Sequence, residues 1–295
     1  MIRKKIGLIF NTQKENAIAV ARRLFNWGRE NGVDFLLPPD EASAVAVPAT
    51  DGERWRRESE FAVVLGGDGT FLRAVRYTLC NNIPLYGINL GRLGFLAVGS
   101  PDEAEDDIEA IINGKYTINK RSLLKGQVWR GGRFVHELHA LNDLVISKSN
   151  LARVVDMEVS VSGELLSVFL ADGIILSTPT GSTAYALSAG GPIVPPHVPC
   201  IIMAPICAHT LYARPVILSE NDTLSVVPKG DGERNRLMLT QDGQLGYELL
   251  PCDELRVALD KTVSVSMIQL NGRTYYDLLR EKLRWGFTGI RGDGE

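Results

Sequence analysis

Two kinds of hydrophobic pattern divide the chain, and the change between them falls near residue 120. In the first stretch, apolar runs of strand length are separated by segments whose apolar residues recur every three or four positions. Ile6 to Phe10 reads as a buried strand ending at Asn11-Thr12, and Ala17, Val20, Ala21, Leu24 and Trp27 share one side of a helix reaching Asn31. Val33 to Leu37 is a second strand, stopped by Pro38-Pro39. The weakly patterned segment up to Glu60 reads as a short helix or a mobile loop. Ala62-Val63-Val64-Leu65 is a third strand, broken at Gly66; Phe71, Leu72, Val75 and Leu79 follow at helical spacing, with Thr70 as the expected cap. Pro84 to Asn89 adds a fourth strand. Pro101 to Asn113 begins with acidic residues that suit the positive end of a helix dipole, so this charge run reads as a solvated face and not as a metal site. Strands alternating with helices predict a doubly wound parallel sheet, whose ligands lie outside the carboxyl ends of its strands.

Beyond Tyr116 the period shortens to that of strands. Segments at 122–130, 133–148, 154–161 and 164–178 are separated by turn signals, among them Gly131-Gly132 and Ser162-Gly163. Further strands are expected near 200–205, 215–218, 222–228, 236–241, 245–250 and 254–268, with an exposed hairpin tip over Lys229–Arg236. This is the pattern of an all-β, sandwich-like domain. Tyr275 to Trp285 returns to helical spacing and is expected to pack on the first domain, and Arg291 to Glu295 reads as disordered. The expected division is therefore 1–121 plus 270–295 for the α/β domain and 122–269 for the β-rich one.

Composition narrows the function classes. The 295 residues are 45% apolar and 23% charged with a net charge of −3, a globular balance with no bulk attraction to nucleic acid or anionic membrane. No apolar run approaches the roughly 20 residues that span a bilayer. The basic-then-apolar start, Arg3-Lys4-Lys5 followed by Ile6 to Phe10, is too short for a signal peptide and lacks its cleavage site, so it reads as a strand. The four cysteines, Cys80, Cys200, Cys207 and Cys252, show no metal-type pairing and read as reduced, mostly buried residues of a cytoplasmic protein.

Two stretches carry chemistry. In Gly66-Gly67-Asp68-Gly69-Thr70, three glycines let backbone approach a ligand closely, and the helix behind them favours anions. Asp68 places a carboxylate where phosphate would otherwise be welcome, which calls for a metal, a hydroxyl to deprotonate or a turn to stabilise. A plain strand-to-helix turn is the competing reading, since Asp and Gly are turn residues. The exit Gly87-Ile88-Asn89-Leu90-Gly91-Arg92-Leu93-Gly94-Phe95 is either a second wall of that cleft or a turn with a packing Leu-Phe pair. Neither a GxGxxG fingerprint nor a GxxxxGK loop occurs. The second stretch, Asp172 to Gly191, leaves a strand through hydroxyl residues around Pro179 into a segment rich in Ala, Ser and Gly, where Ser182 or Thr183 would cap a helix. Tyr185 either offers a flat face for a base or belongs to the core.

The loop Gly66–Thr70 resembles one shared by NAD kinases, diacylglycerol-type lipid kinases and, more loosely, 6-phosphofructokinases. Together with Asn89 to Phe95, Asn142-Asp143, the run 172–191 and Asp242-Gly243-Gln244, it is similar to the NAD kinase family across nearly the whole chain. That resemblance implies an α/β first domain, a β-rich second one and a returning C-terminal helix. It implies a phosphotransferase with an alcohol acceptor, using ATP and a divalent metal ion such as Mg2+ to phosphorylate the adenosine-ribose 2′-hydroxyl of NAD, and assembling as a homodimer or homotetramer. Asp68 would accept the proton, and Gly66, Gly67, Gly69 and Thr70 would shape the nucleotide-phosphate site. Asn142 and Asp143 would hold ribose hydroxyls; the family often has Glu at the second position, so Asp143 has the shorter reach. Asp172 would meet the nicotinamide carboxamide, and Thr183, Ala184, Tyr185, Ala186, Leu187 and Ser188 the adenine. Arg73 and Arg153 stand where the family places basic contacts to the dinucleotide, with a surface charge as the alternative, and Gln244 follows an Asp-Gly hairpin signal. No residue is assigned as a metal ligand. A diacylglycerol-type lipid kinase and a non-catalytic dinucleotide sensor remain as alternatives.

Overall fold

The computed structural model describes residues 3–148, 154–229, 237–270, 272 and 274–285. Its contacts divide the chain into two units, Met1–Asn119 with Ser266–Glu295, and Lys120–Val265. In order, the elements of the first stretch are β1 (Lys4–Phe10), α1 (Glu15–Glu30), β2 (Val33–Leu36), α2 (Pro39–Val45), α3 (Gly52–Glu58), β3 (Phe61–Gly66), α4 (Asp68–Thr78), β4 (Leu85–Asn89) and α5 (Ala104–Ile112). Then come β5 (Thr117–Arg130), β6 (Arg133–Ala140), β7 (Asp143–Lys148), β8 (Val155–Val161), β9 (Glu164–Ala171), β10 (Gly173–Ser177), α6 (Tyr185–Ser188) and β11 (Cys200–Ile206). The remainder are β12 (Val216–Ser219), β13 (Leu224–Lys229), β14 (Leu237–Gln241), β15 (Leu245–Leu249), β16 (Glu254–Gln269) and α7 (Tyr275–Leu283).

The first unit is the expected parallel sheet, in the order β2-β1-β3-β4, with Met267 near the end of β16 pairing with Leu85. Every residue of β3 is buried, as the uninterrupted apolar run required, because helices cover both faces of such a sheet. Ile6, Leu8, Val63, Leu65 and Ile88 form a core with Ala17, Ala21 and Leu24 of α1 and Ile108 of α5. The segment before Glu60 resolves into α2 and α3. Trp55 of α3 is fully buried and its Nε1 donates to the Leu36 carbonyl at 2.8 Å. A loop would have left that aromatic exposed, and the indole has an apolar body with one polar atom to satisfy. The helix α7 belongs to this unit, through buried Leu278 and Leu279 and a capping box between Thr274 and Asp277.

The second unit is built of β-sheet, as its period-two pattern indicates. One antiparallel sheet has the order β12-β11-β10-β7-β14-β15; β9, β8, β13 and the first part of β16 follow one another in another, with β5 and β6. Alternate residues of both sheets, such as Leu144, Ile146, Ile174 and Leu176 facing Val159, Val226 and Leu255, meet in one core. The intervening Val145 and Ile175 point the other way and pack with Ala186 of α6. Both Gly131-Gly132 and Ser162-Gly163 take positive φ and close hairpins, as anticipated.

Several expectations need correction. The segment 133–148 is two strands that part at Leu141-Asn142, and 164–178 is two that part at Asp172. Each break lies where the chain turns its backbone groups to side-chain partners, described below. α4 begins at Asp68 with Gly67 in the cap position, so Thr70 lies inside the first turn and caps nothing. The small-residue helix after Ser182 is only Tyr185–Ser188, and neither Ser182 nor Thr183 caps it. Cys200 is buried, but Cys207 and Cys252 are exposed in left-handed turn positions after their strands. The Lys229–Arg236 tip and the Arg291 to Glu295 tail fall largely outside the described residues. No described helix is long and apolar enough to cross a membrane.

Truncating Trp55 to Ala removes a large side chain that nothing nearby can replace and leaves the Leu36 carbonyl without its donor. The expected loss is about 3–5 kcal/mol of unfolding free energy, measured by urea titration.

Candidate functional site

At the carboxyl end of β3 the chain turns sharply into α4. Gly66 closes the strand where a Cβ would lie 2.4 Å from Thr70 Oγ1, so no side chain fits. At Gly67 and Gly69 the same construction meets nothing within 4 Å. These two positions leave open room at a helix N-terminus, the arrangement that receives anions.

Asp68 occupies the first helical position, with its side chain turned toward the loop that follows β4. Its Oδ2 accepts from the Phe95 amide at 2.9 Å, and its Oδ1 from Leu96 at 3.0 Å and Ala97 at 3.4 Å. Gly94 makes this approach possible, since a Cβ there would fall 2.0 Å from Oδ1. The exit from β4 is therefore in direct contact with Asp68. The carboxylate retains 30% of its exposure, and Lys282 of α7 brings its Nζ to 4.0 Å from Oδ2. Asp68 is thus fixed in direction and reachable from solvent.

Arg73, one turn further along α4, donates to the Phe10 carbonyl at 2.7 Å and to Glu41 Oε1 at 2.5 Å. Glu41 is fully buried, so the guanidinium already serves as the partner of a charge that could not stay there alone. Arg153 lies outside the described residues.

A second polar cluster forms at the start of β7. The carboxylate of Asp242, in the β14–β15 connection, accepts from the amides of Leu141 (3.1 Å), Asn142 (2.7 Å) and Asp143 (3.2 Å). The Asn142 carbonyl receives the Thr178 amide at 2.9 Å and the Ser177 hydroxyl at 3.0 Å. Gly181 packs so tightly on this carbonyl that a Cβ would sit 2.2 Å from it. The strand break after β6 thus exists to bring Asn142 and Asp143 under the hydroxyl-rich turn 177–183. Burial, with the nearby Asp242 charge adding to it, pushes the Asp143 carboxyl up to about 7.

Around this cluster, Asp172 holds Lys148 Nζ at 2.6 Å. Thr183 bonds the Thr180 carbonyl (3.4 Å) and the Ala184 amide the Gly181 carbonyl (2.8 Å). Ala186 is buried, Leu187 half-buried and Ser188 exposed. Tyr185 is 47% exposed, so its ring is a surface face and not core. Ser182 is buried and bonds both the carbonyl and the amide of Val194, which fixes the chain after Gly191. Gln244 closes the Asp242-Gly243 turn through its amide to the Gln241 carbonyl at 2.9 Å, with Asp242 and Gly243 both at positive φ.

Sequence reasoning missed the amides of residues 95–97, the role of the Asp242 side chain, Lys148 and Lys282. Backbone amides carry no residue signature, and Asp-Gly is a sufficient turn signal that hides a further use of the carboxylate. Lys282 sat in the helical pattern with nothing to distinguish it.

An anion-receiving loop on a parallel sheet, with an oriented carboxylate in it, defines a candidate phosphate-handling site. Family comparison gives it a name. Residues 6–116 match the ATP-NAD kinase N-terminal domain and residues 141–267 the ATP-NAD kinase C-terminal domain. The chain is 35% identical to an NAD kinase of Geotalea daltonii over 284 residues, 96% of this chain and 99% of that one. In fold it is similar to a yeast NADH kinase complexed with NADH, with a TM-score of 0.90 at 23% identity, covering 99% of this chain and 90% of that one. An NAD kinase from Archaeoglobus fulgidus in complex with ATP gives a TM-score of 0.75 at 22% identity, over 95% and 98% of the two chains. The chain belongs to the NAD kinase family.

The Asp143 environment sets a stability signature. A carboxyl whose folded value is raised binds its proton more tightly when folded, so its favourable contribution is complete below about pH 4 and lost as pH rises to about 7. Asp143→Asn should therefore become progressively more stable than the wild type between pH 4 and pH 8. Urea unfolding at several pH values checks this, and a difference that does not vary with pH contradicts it.

Proposed function

We propose that this chain transfers the γ-phosphoryl group of ATP to the adenosine-ribose 2′-hydroxyl of NAD, forming NADP. The observation that carries the mechanism is the Asp68 carboxylate, held by three loop amides beside two glycines that leave open room. Phosphoryl transfer asks mainly for positioning and charge stabilisation. The 2′-oxygen–phosphorus bond forms as the bond from phosphorus to the β,γ-bridging oxygen breaks, ADP leaves, and Asp68 takes the hydroxyl proton.

The other roles are those that the family resemblance implies. Gly66, Gly67, Gly69 and Thr70 form the donor phosphate loop. Asn142 and Asp143 bind ribose hydroxyls, Asp172 the nicotinamide carboxamide, and Thr183 to Ser188 the adenine, with exposed Tyr185 free to stack on a base. Arg73 is engaged by Glu41, so any contact with the dinucleotide would use its remaining donors. The divalent cation, Mg2+ in this reading, enters as part of the ATP substrate. No group of three or more His, Cys, Asp or Glu able to hold a metal occurs among the described residues, and Mg2+ commonly binds through phosphates with one or two carboxylates. Family membership favours this reaction over a lipid kinase or a non-catalytic sensor.

We also propose a homodimer or homotetramer. Leu211 and Tyr212 are 85% and 91% exposed, an unusual placement for adjacent large apolar side chains that a second copy would cover. Light scattering on the eluting chain should give a multiple of 32.3 kDa, and a monomer at micromolar concentration would contradict it.

Asp68→Asn keeps the size but removes the proton acceptor, and it turns an NH2 toward one of the loop amides that the carboxylate accepts, so melting temperature is recorded alongside. NADP formation should fall by about 10²–10⁴-fold while NAD affinity changes little. A coupled assay with calorimetric NAD binding checks both, and full activity in the variant would remove Asp68 from the mechanism.

A further inference from the structure

The carboxylate of Asp68 raises an electrostatic difficulty. Helix N-terminus and glycine loop attract phosphate, yet a fixed negative charge at the first helical position opposes it. We propose that Lys282 resolves this: it is a phosphate-binding residue whose ammonium offsets the repulsion between Asp68 and the incoming donor phosphates. The inference rests on the phosphoryl-transfer reading given above.

Two contacts place the ammonium, both within the first unit. Lys282 lies four residues after Leu278 and three after Leu279, both buried, so the helix turns its stem toward the packed side. Its Nζ sits 4.6 Å from the centroid of the Phe95 ring and 4.0 Å from Asp68 Oδ2. Phe95 in turn donates its amide to that same oxygen at 2.9 Å, and its ring lies 6.1 Å from the ring of Tyr275 at the start of α7. One residue therefore orients the acid through its backbone and seats the cation through its side chain.

The distance decides between two roles. An ordinary surface ion pair closes to hydrogen-bond length and contributes little. Here the ammonium stays beyond hydrogen-bond reach of the carboxylate, so attraction acts through charge and the N–H donors are not spent on Asp68. With its side chain 35% exposed, Lys282 can turn those donors to a phosphate entering the open room at Gly67 and Gly69. It takes no proton from the reaction. It stabilises the negative charge that approaches Asp68 as the 2′-oxygen–phosphorus bond forms.

The test compares Lys282→Met, which keeps the stem and loses the charge, with Lys282→Arg, which keeps the charge. ATP and NAD affinities are measured by calorimetry with Mg2+ present, alongside melting temperature and steady-state NADP formation. The Met variant should bind ATP about tenfold more weakly and turn over about tenfold more slowly, with NAD affinity and melting temperature nearly unchanged. The Arg variant should recover most of both losses. Unchanged ATP affinity in the Met variant overturns the proposal, as does an Arg variant equally impaired, or a loss of both ligands together with thermal stability. A wild-type chain that binds ATP without forming NADP would overturn the reaction assigned above and leave the ATP comparison to decide the role of Lys282.

Discussion

A carboxylate that accepts three successive backbone amides is the interaction on which both candidate clusters depend. Asp68 does this to residues 95–97 and Asp242 to residues 141–143. In each case the amides lie between strands or at a strand's first residue, where no ladder partner takes them. An amide left unpaired and away from water costs about as much as a lost hydrogen bond, so an irregular segment is held only where something replaces the ladder. A charged acceptor does so strongly, and its two oxygens reach more than one donor. The sheets thus end in fixed loops, and those loops carry the residues of both candidate clusters.

The two clusters use the device for different ends. At Asp242 the carboxylate is structural: it pins the break between β6 and β7, and so sets Asn142 and Asp143 beneath the hydroxyls of Ser177 and Thr178. At Asp68 the amides instead aim a partly exposed acid, whose remaining surface is available for chemistry. The contrast also explains Asp143. A second carboxyl beside the charged Asp242, in a buried setting, can retain its proton where an isolated surface acid would not.

Much of this was legible in the chain. The uninterrupted run before Gly66 announced a strand covered on both sides, and paired glycines or Ser-Gly marked hairpins, because each rests on local sterics. The loop Gly66–Thr70 and the run 172–191 announced the family. What stayed hidden was tertiary. The apolar character of 133–148 continues across Leu141-Asn142, and only the distant Asp242 makes a break there favourable. Thr70 looks like a cap, yet Gly67 occupies that position because Asp68 must stand one residue inside the helix to reach the following loop. Arg73 is a surface charge or a ligand contact on sequence grounds; its buried partner Glu41, 32 residues earlier, could not be inferred from either end.

The glycines around Asp68 do not share one origin. Residues 66 and 94 are crowded by the protein itself, whereas 67 and 69 face vacant volume. The folded chain forbids a methyl group at the first pair, and nothing in it objects to one at the second. Replacement by alanine would therefore separate the demands of architecture from those of the nucleotide proposed to enter there. A screen for folding would register only the crowded pair, and under the proposed function the open pair would come into view once turnover is scored.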